Sequence, residues 1–556
     1  MLNPSKRPEV KLYDAGPKAI LARIPYELKD KPVAYGYFKK SQKLWEYPYT
    51  GYAAYNLIAP LREHITHCDF GVKELAESYL RCHQRKKATD LPAPEIKNLK
   101  ATLWAHQITA HYFARDLHGT ALLMDMATGK TLTAISLIMA REHGRNLIIC
   151  PKSVLDVWKD EFRKHLDEEL VITAPLKKTI KDRAREAHKQ MELAKVKKKP
   201  FVLLINYEAF WRTAFASFLQ SVEWHNVIYD ECHKLKDPTS NTSKFAHKLI
   251  GNSLYRLGLT GTFMPKDPLD PFSQYKAIDW SVFGGSYYRY KLRFAEMGGY
   301  GGYEIQQFIN QDELHQKIEA IAIQVTNEAL DLPEEIHTFR SCELNTQTRR
   351  IYDEMDSDLY AAVESGEITI DNAMVKILRL QQLTSGHIKT DEGDVVEYGL
   401  EKRDLLAELL SEIPKEEPVV VFARFTKDIE NIRAAAEAQN RSTGELTGKA
   451  NQLRAFQDGE FNVLAVQVRA GSLGIDLTRA CYCVFYSIGH SLGDFKQAVK
   501  RVNRPGQTRA VRYYHLLASG TVDERVYDAL QNKEEVVNYV LRGIRQELPE
   551  KQKEAV

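Results

Sequence analysis

The chain contains 556 residues, which at about 100–200 residues per domain predicts three or four domains with cores of their own. Its 77 lysine and arginine residues against 74 acidic residues leave a net charge of +3, so a polycationic packaging protein is excluded and any nucleic-acid site must be a local patch. A hydrophobic fraction of 44% excludes a disordered chain, and no apolar run reaches the roughly 18 residues of a transmembrane helix.

Cysteine usage and the first residues bear on the cellular compartment. The seven cysteines include no CxxC pair, which argues against a disulfide framework and against a zinc ribbon. Met1–Asp14 has no apolar segment typical of a secretion signal. We therefore expect reduced thiols and a cytoplasmic protein.

Residues 1–95 predict a β-rich accessory module followed by a helix and a linker. Aromatic and apolar runs over residues 33–38 and 43–47 predict strands of a small β-meander. Residues 61–82 have a helical pattern, and the prolines after them mark a linker. Two interpretations of the aromatic residues stay open: they form the core of the module, or they stack on unpaired bases.

From about residue 96, short apolar runs alternate with stretches of helical length, and the alternation returns after residue 400. The runs are Ala121–Met124, Leu147–Cys150, Phe201–Ile205 and Val227–Tyr229, then Val419–Phe422, Val463–Val466, Cys481–Tyr486 and Val511–Leu517. Alternating strands and helices predict parallel sheets that are covered by helices on both faces. We expect an α/β protein with doubly wound lobes over 96–285 and 401–540, a helical insertion over 286–400, and a charged tail over 541–556.

One segment of the first lobe is strongly basic. Residues 177–199 contain ten lysines and arginines against three acidic residues. Such a segment is either a solvated helix face or a contact to the phosphate backbone of a nucleic acid, and the sequence leaves both interpretations open.

The segment Asp125–Thr131 (DMATGKT) follows a predicted strand and precedes a predicted helix, which is the context of a phosphate-binding loop. Lys130 would neutralise the phosphates and the Thr131 hydroxyl would hold Mg²⁺, with Thr128 and Gly129 completing the loop. Met124 stands where the full motif has its first glycine, so an ordinary helix start is the alternative.

Two further motifs carry charges suited to nucleotide hydrolysis. Asp230 and Glu231 follow an apolar run, and acids at the carboxyl edge of a parallel sheet lie where ligands bind. Asp230 would bind Mg²⁺, and Glu231 would orient and deprotonate the attacking water. Gln497, Arg501 and Arg504 have helical spacing that predicts one shared face, and two guanidinium groups there suit a γ-phosphate on the other lobe; a plain surface helix is the alternative.

In this order the motifs resemble helicase superfamily 2, and within it the Swi/Snf-like double-stranded DNA translocases, over residues 100–530. Further matching segments are Leu103–Gln107, Cys150–Leu155 with Trp158, Leu259–Phe263, Val421–Phe425, Val468–Leu477 and the ending Arg504–Thr508. The resemblance implies two RecA-like lobes, with Gln107, Gly474 and Asp476 as nucleotide contacts. It also implies candidate DNA contacts at Pro151, Lys152, Thr260, Thr262, Arg424 and Arg469.

Some positions depart from the family pattern. Ala127-Thr128 replaces Gly-Leu in the phosphate loop, which reduces its backbone freedom. Ser487–His490 stands where the family has Trp-Asn-Pro, and Gln324–Asn327 where it has Arg-Arg-x-Lys. The last two weaken the expectation of remodeller-like regulation, but none of these changes removes a catalytic group.

The expected function is ATP- and Mg²⁺-dependent translocation on duplex or branched DNA by a monomeric bacterial or phage enzyme with no membrane contact. Branch migration, annealing and protein displacement are all compatible with this function, and no protein partner is indicated. An RNA-directed helicase of superfamily 2 is one alternative, although LTGT and RPGQ argue against it. A nucleic-acid-binding scaffold without hydrolysis is another, and the retained Lys130, Glu231 and Arg501 argue against it.

Overall fold

The computed structural model describes most of the chain. The described residues are 8–16, 19–88, 90–141, 144–167, 170–175, 179–261, 263–264, 267–299, 304–326, 330, 332–364, 370–389, 394–468, 475–489 and 491–531. The chain divides into two compact units, Met1–Ala329 and Leu330–Val556.

A five-stranded sheet begins the first unit. Its strands are β1 (Val10–Asp14), β2 (Ala19–Arg23), β3 (Tyr37–Lys39), β4 (Leu44–Pro48) and β5 (Ile65–Cys68). Their order is β3-β4-β2-β1-β5, and β5 alone is parallel to its neighbour. The accompanying helices are α1 (Gly51–Leu61) and α2 (Phe70–Lys86). The β-rich character of the module is therefore as predicted, but the sheet is not a simple meander.

Two local predictions for this module are wrong. The helix expected over 61–82 is interrupted by β5, because Ile65 pairs with Val10 of β1. The strand expected over 33–38 begins only at Tyr37, because the backbone N–H of Tyr35 donates to the carbonyl of Ser281 outside the sheet, at 2.8 Å. Both differences arise from partners that are distant in the sequence.

A seven-stranded parallel sheet follows in the same unit. The strands of this part of the chain are β6 (Gly119–Met124), β7 (Arg145–Cys150), β8 (Val171–Thr173), β9 (Phe201–Asn206), β10 (Trp224–Asp230), β11 (Ser253–Thr260), the hairpin β12 (Ala295–Gly298) and β13 (Glu304–Phe308), and β14 (Ala322–Val325). The sheet order is β14-β6-β11-β10-β7-β9-β8. The helices are α3 (Ala105–Ala114), α4 (Lys130–Ala140), α5 (Leu155–His165), α6 (Ile180–Val196), α7 (Tyr207–Phe210), α8 (Thr213–Ser221), α9 (Asn241–Leu249), α10 (Pro271–Ile278), α11 (Tyr287–Phe294) and α12 (Gln311–Glu319).

Alternate residues of one strand enter different cores, as a sheet covered on both faces requires. Ile148 of β7 belongs to one hydrophobic cluster together with residues of α4. Leu147 and Ile149 belong to a second cluster together with residues of α6 and α8. The first cluster also contains Leu57 and Tyr79 of the N-terminal module, so that module and the sheet share a continuous core.

The second unit contains a six-stranded parallel sheet. Its strands are β15 (Glu335–Cys342), the hairpin β16 (His387–Lys389) and β17 (Val395–Glu397), and then β18 (Val419–Ala423), β19 (Thr443–Leu446), β20 (Val463–Gln467), β21 (Tyr482–Phe485) and β22 (Val511–Ala518). The sheet order is β15-β22-β21-β18-β20-β19. Its helices are α13 (Thr346–Glu364), α14 (Ile370–Thr384), α15 (Glu401–Glu412), α16 (Thr426–Ala438), α17 (Leu453–Gln457), α18 (Leu492–Val502) and α19 (Val522–Gln531).

The α/β class with two RecA-like parallel sheets is confirmed, and every strand predicted after residue 96 lies in one of the two sheets. The region 286–400 differs from a helical insertion, because β14 extends the first sheet and β15 pairs with β22 in the second. Within the described ranges, no helix combines the length and the apolar character that a membrane crossing needs.

Lys402 and Asp523 form a buried ion pair between α15 and α19, with 3% and 7% of their surfaces exposed. Asp523 also accepts hydrogen bonds from Thr384 Oγ1 at 2.9 Å and from the backbone N–H of Ala518 at 3.1 Å. Lys402→Met would leave a buried carboxylate without its counter-charge. We expect the free energy of unfolding to fall by about 3–5 kcal/mol.

The measurement is urea unfolding, monitored by far-ultraviolet circular dichroism and by tryptophan fluorescence. Circular dichroism reports the unfolding of both units. Fluorescence reports the first unit, because all six tryptophans lie in it. Lys402→Met/Asp523→Leu is the control and should lose less stability, since it removes both charges. An unchanged dichroism transition in the single variant would contradict the prediction.

Candidate active site

The carboxyl ends of three neighbouring parallel strands bring the predicted nucleotide-binding residues together. β6 lies beside β11, where Thr260 pairs with Leu123, and β11 lies beside β10, where Asp230 pairs with Leu259. The phosphate-loop segment, the two acids and the Thr260 segment therefore emerge side by side at one edge of the first sheet.

The loop between β6 and α4 is folded on itself by its own side chains. Thr128 Oγ1 donates to the carbonyl of Asp125 at 2.7 Å. Lys130 Nζ donates to the carbonyls of Met124 at 2.7 Å and Asp125 at 3.2 Å. Within the described residues no side chain caps the N-terminus of α4. A helix start at a glycine, which has no side chain to bond the first N–H groups, suits the phosphates of ATP.

Side chains of helix α3 form hydrogen bonds with the backbone of this loop. The buried Gln107 donates from Nε2 to the carbonyl of Thr128 at 3.1 Å, and its Oε1 accepts from the backbone N–H of Trp104 at 2.9 Å. His106 Nε2 lies 2.9 Å from the same Thr128 carbonyl. The family resemblance implies that Gln107 contacts the nucleotide and gives no role to His106, and in the structure both side chains contact the loop backbone.

Two glycines permit this packing. Gly129 has a φ of 82°, and a Cβ there would collide with the Gln107 amide. A Cβ at Gly261 would lie 3.2 Å from the carbonyl oxygen of Met124, so the segment after β11 presses directly on the phosphate loop. Ala127, where the family pattern has glycine, adopts a left-handed φ of 68°, which costs an ordinary residue about 1–2 kcal/mol.

Asp230 is fixed by two aromatic side chains that the sequence did not assign to the site. Trp158 Nε1 donates to Asp230 Oδ2 at 2.9 Å, and the Tyr207 hydroxyl donates to the Asp230 carbonyl at 2.8 Å. Burial and the adjacent Glu231 charge raise the pKa of Asp230 to about 6, against the opposing effects of Trp158 and Lys130. Carboxylate and hydroxyl oxygens of the type that Asp230 and Thr131 carry suit Mg²⁺.

Glu231 forms a hydrogen-bonded group with His233 and Thr260. Its Oε2 lies 3.3 Å from His233 Nδ1 and accepts from Thr260 Oγ1 at 3.4 Å, while His233 Nδ1 lies 3.0 Å from Thr260 Oγ1. The prediction that Thr260 contacts DNA does not fit, because its side chain is completely buried and its hydroxyl is directed at this group.

Gln274 connects the acidic segment to the segment after β11. It accepts from Cys232 Sγ at 3.4 Å and donates to the carbonyls of Phe263 at 2.9 Å and Asp270 at 3.1 Å. No local sequence signal identifies Gln274, because Cys232, its partner in the acidic segment, lies 42 residues before it along the chain.

In the second unit, Gln497 and Arg501 lie one turn apart on α18, but Arg504 does not share their helix face. The helix ends at Val502, before Arg504. The side-chain amide of Asn503 donates to the Pro333 carbonyl and to the Glu335 carboxylate. Arg504 precedes Pro505, and a residue before a proline disfavours the helical conformation. The predicted common face of three residues is therefore wrong for Arg504, whose NH1 donates to the carbonyl of Ile475 at 3.3 Å.

The remaining predicted nucleotide and DNA contacts have different surroundings. Asp476 Oδ1 accepts hydrogen bonds from Thr478 within its own turn. Lys152 is exposed at the end of β7, directly after Pro151, where a phosphate can approach it. Arg424 is partly buried and donates to Gln381 Oε1 at 2.5 Å. Three further predicted contacts lie outside the described residues: Thr262, Arg469 and Gly474.

Gly129→Ala is expected to abolish ATP binding, because the added Cβ both opposes the left-handed φ and displaces Gln107. Isothermal titration calorimetry with a non-hydrolysable ATP analogue measures this loss of affinity. Gly251→Ala is the matched control, since a Cβ there meets no atom within 4 Å and should leave binding unchanged. Binding by Gly129→Ala with wild-type affinity would contradict this account of the loop.

Two family models match the chain. The SNF2-related domain matches residues 58–388, and the helicase conserved C-terminal domain matches residues 401–506. The first model thus covers the first sheet and the start of the second unit, and the second model covers most of the second sheet.

Curated relatives are similar at low identity. An uncharacterized ATP-dependent helicase of Mycoplasma pneumoniae is 24% identical over 82% of this chain and 43% of its own length. A putative ATP-dependent helicase/translocase of Bacillus subtilis is 24% identical over 82% of this chain and 50% of its own length. The chain spans about half the length of the curated relatives it matches.

Among solved structures, the Sulfolobus solfataricus SWI2/SNF2 ATPase core in complex with double-stranded DNA is 23% identical, covering 84% of this chain and 99% of that one, with a TM-score of 0.39. A TM-score this low adds nothing to the fold assignment, which depends on the two sheets and the family models. Because a single family model covers more than half of the sequence, the chain belongs to the SNF2-related family of ATP-dependent helicases and translocases.

Proposed function

We propose that this chain hydrolyses ATP and uses the energy to translocate along duplex DNA. The observation that carries the proposal is the carboxyl edge of the first sheet, where Lys130, Asp230 and Glu231 follow neighbouring strands and each is held by its own hydrogen bonds. Family membership supports the ATP-dependent motor, and the choice of duplex DNA is our own proposal.

Lys130, Glu231 and the Mg²⁺ ligands would have different roles in ATP hydrolysis. Lys130 would exchange its two carbonyl acceptors for the β- and γ-phosphate oxygens, which carry a full negative charge. Glu231 would take a proton from the attacking water, and His233 and Thr260 keep its carboxylate oriented. Mg²⁺, when held by Thr131 and Asp230, supplies positive charge against the phosphate oxygens.

We propose that Gln497, Arg501 and Arg504 of the second unit are required for the same reaction. The ordered surroundings of this segment support the proposal. Gln507 donates to the carbonyls of Thr478 at 3.2 Å and Ala480 at 2.9 Å, which ties the arginine segment to the chain before β21. Arg504 NH1 itself donates to the carbonyl of Ile475 at 3.3 Å, and a guanidinium held in this way loses little further entropy when it binds a phosphate.

DNA binding would use backbone phosphates and would therefore be largely independent of base sequence. Lys152 is the best placed of the predicted contacts, since it is exposed and follows a strand at the edge that carries the active site. Arg424 is held by Gln381 and would need little reorganisation to meet a phosphate. Branch migration, annealing and protein displacement would each follow from such movement.

The test of the proposal is the steady-state ATPase rate with no nucleic acid, single-stranded DNA, duplex DNA, a fork and duplex RNA at one salt concentration. We expect the largest stimulation by DNA that contains a duplex. Stimulation by RNA alone would replace the proposal with an RNA-directed helicase, and bound ATP without turnover under any condition would favour a scaffold.

Glu231→Gln is expected to lower kcat for ATP by about 100-fold or more, since the amide cannot accept the proton of the attacking water. ATP affinity should stay close to the wild-type value, because the phosphate loop is unchanged. Glu186→Gln on the exposed surface of α6 is the control and should keep full activity. Equal kcat for Glu231→Gln and the wild type would rule out Glu231 as the general base.

Trp158→Phe removes the indole hydrogen bond to Asp230 while keeping most of the buried ring. We expect a kcat about 10- to 100-fold lower, as is typical when a group that orients a metal-binding carboxylate is lost. Trp224→Phe is the matched control, because this buried indole lies at the opposite end of β10 and donates to the Leu219 carbonyl. Similar losses in both variants would indicate a general packing effect instead.

A further inference from the structure

A cleft of about 770 Å³ lies between the N-terminal module and helices α11 and α12 of the same unit. The loop Lys29–Gly36 and strand β4 form one wall, and the two helices form the other. None of its lining residues belongs to the candidate active site. Its volume falls within the range of about 300–1,000 Å³ that is usual for ligand pockets.

Aromatic side chains line the cleft in two layers. Tyr47, Tyr52 and Tyr79 are buried and form its base as part of the core. Tyr35 is 42% exposed, and Trp45 is half-buried with its ring 5.3 Å from that of Phe38, so part of each ring is open to a ligand. The backbone N–H of Tyr35 donates to the Ser281 carbonyl, and the ring of Tyr35 lies against Gly284, where an added Cβ would come within 3.1 Å of it.

The same cleft has an excess of positive charge. Two carboxylates line the cleft, Asp30 and Glu313, and Glu313 forms an ion pair with Arg293 at 2.6 Å. Five cationic side chains line it as well: Lys29, Lys31, Arg289, Arg293 and Lys317. Lys31 and Arg289 are exposed, whereas Lys317 extends inward, with Nζ 5.2 Å from the centre of the Tyr35 ring. Cations beside open aromatic faces are the combination that binds single-stranded nucleic acid, since phosphates meet the cations and bases stack on the rings.

We propose that this cleft binds unpaired nucleotides of single-stranded DNA, with Tyr35 and Trp45 stacking on bases and Lys31 and Arg289 contacting phosphates. A duplex does not meet these requirements, because its base faces are already stacked on one another and are closed to side chains. The site is separate from the edge of the sheet that carries the catalytic residues, so binding here needs neither ATP nor hydrolysis.

The experiment uses the full chain without ATP, a short oligothymidine containing 5-iodouracil, and excess unlabelled duplex DNA to occupy any duplex site. Ultraviolet crosslinking and mass spectrometry identify the contacted peptide, and fluorescence anisotropy measures Kd. We expect the crosslink on a peptide containing Tyr35 or Trp45. A crosslink confined to other peptides would overturn the proposal.

Tyr35→Ala should weaken oligothymidine binding by about 5- to 150-fold, the loss expected for one base-stacking contact. Tyr35→Phe keeps the ring and should bind like the wild type, which separates stacking from misfolding. Tyr288→Ala is the matched control, because Tyr288 is 71% exposed and does not line the cleft. Equal binding by Tyr35→Ala and the wild type would refute the assignment.

Duplex-stimulated ATPase activity is measured on the same preparations. Retained stimulation in Tyr35→Ala shows an intact motor, so weakened oligothymidine binding is then a property of the cleft. A wild-type chain that crosslinks at the cleft but shows no ATPase would contradict the proposed function and still support the binding site.

Discussion

The parallel register of β6, β11 and β10 is the constraint on which the rest of the active site depends. Because the three strands end at the same edge, the phosphate loop, Asp230 and Thr260 meet although Thr260 follows Asp125 by 135 residues. The positions of Asp230, Glu231 and Thr260 follow from this edge, since Asp230 and Thr260 are the last residues of their strands and Glu231 comes directly after Asp230.

A second layer of side chains holds that edge in a single arrangement. Gln107 supports the phosphate loop, Trp158 supports Asp230, and Gln274 joins the acidic segment to the segment after β11. Because these side chains are already held in place, the charged groups of the site need not reorient during the reaction. The left-handed Ala127 shows that the loop retains its shape even where the residue type opposes it, because packing from α3 and Gly261 outweighs a local cost of about 1–2 kcal/mol.

The N-terminal module is joined to the first lobe by a continuous core, and it divides its aromatic residues between two roles. Tyr47, Tyr52 and Tyr79 belong to the core, as the packing interpretation of the sequence requires. Tyr35 and Trp45 instead line a cationic cleft, which is the arrangement that the base-stacking interpretation requires. The packing interpretation is therefore met by Tyr47, Tyr52 and Tyr79, and the stacking interpretation is left to the residues of the proposed cleft.

The sequence by itself determined the α/β class, the strand positions after residue 96 and the order of the motifs, because apolar runs and glycine-containing turns act over a few neighbouring residues. Tertiary structure alone decided the places of β14 and β15 and the inward direction of Thr260. It also decided that Trp158 and Gln274 support the site. These features depend on pairing between residues that are distant along the chain, and a local pattern carries no information about such partners.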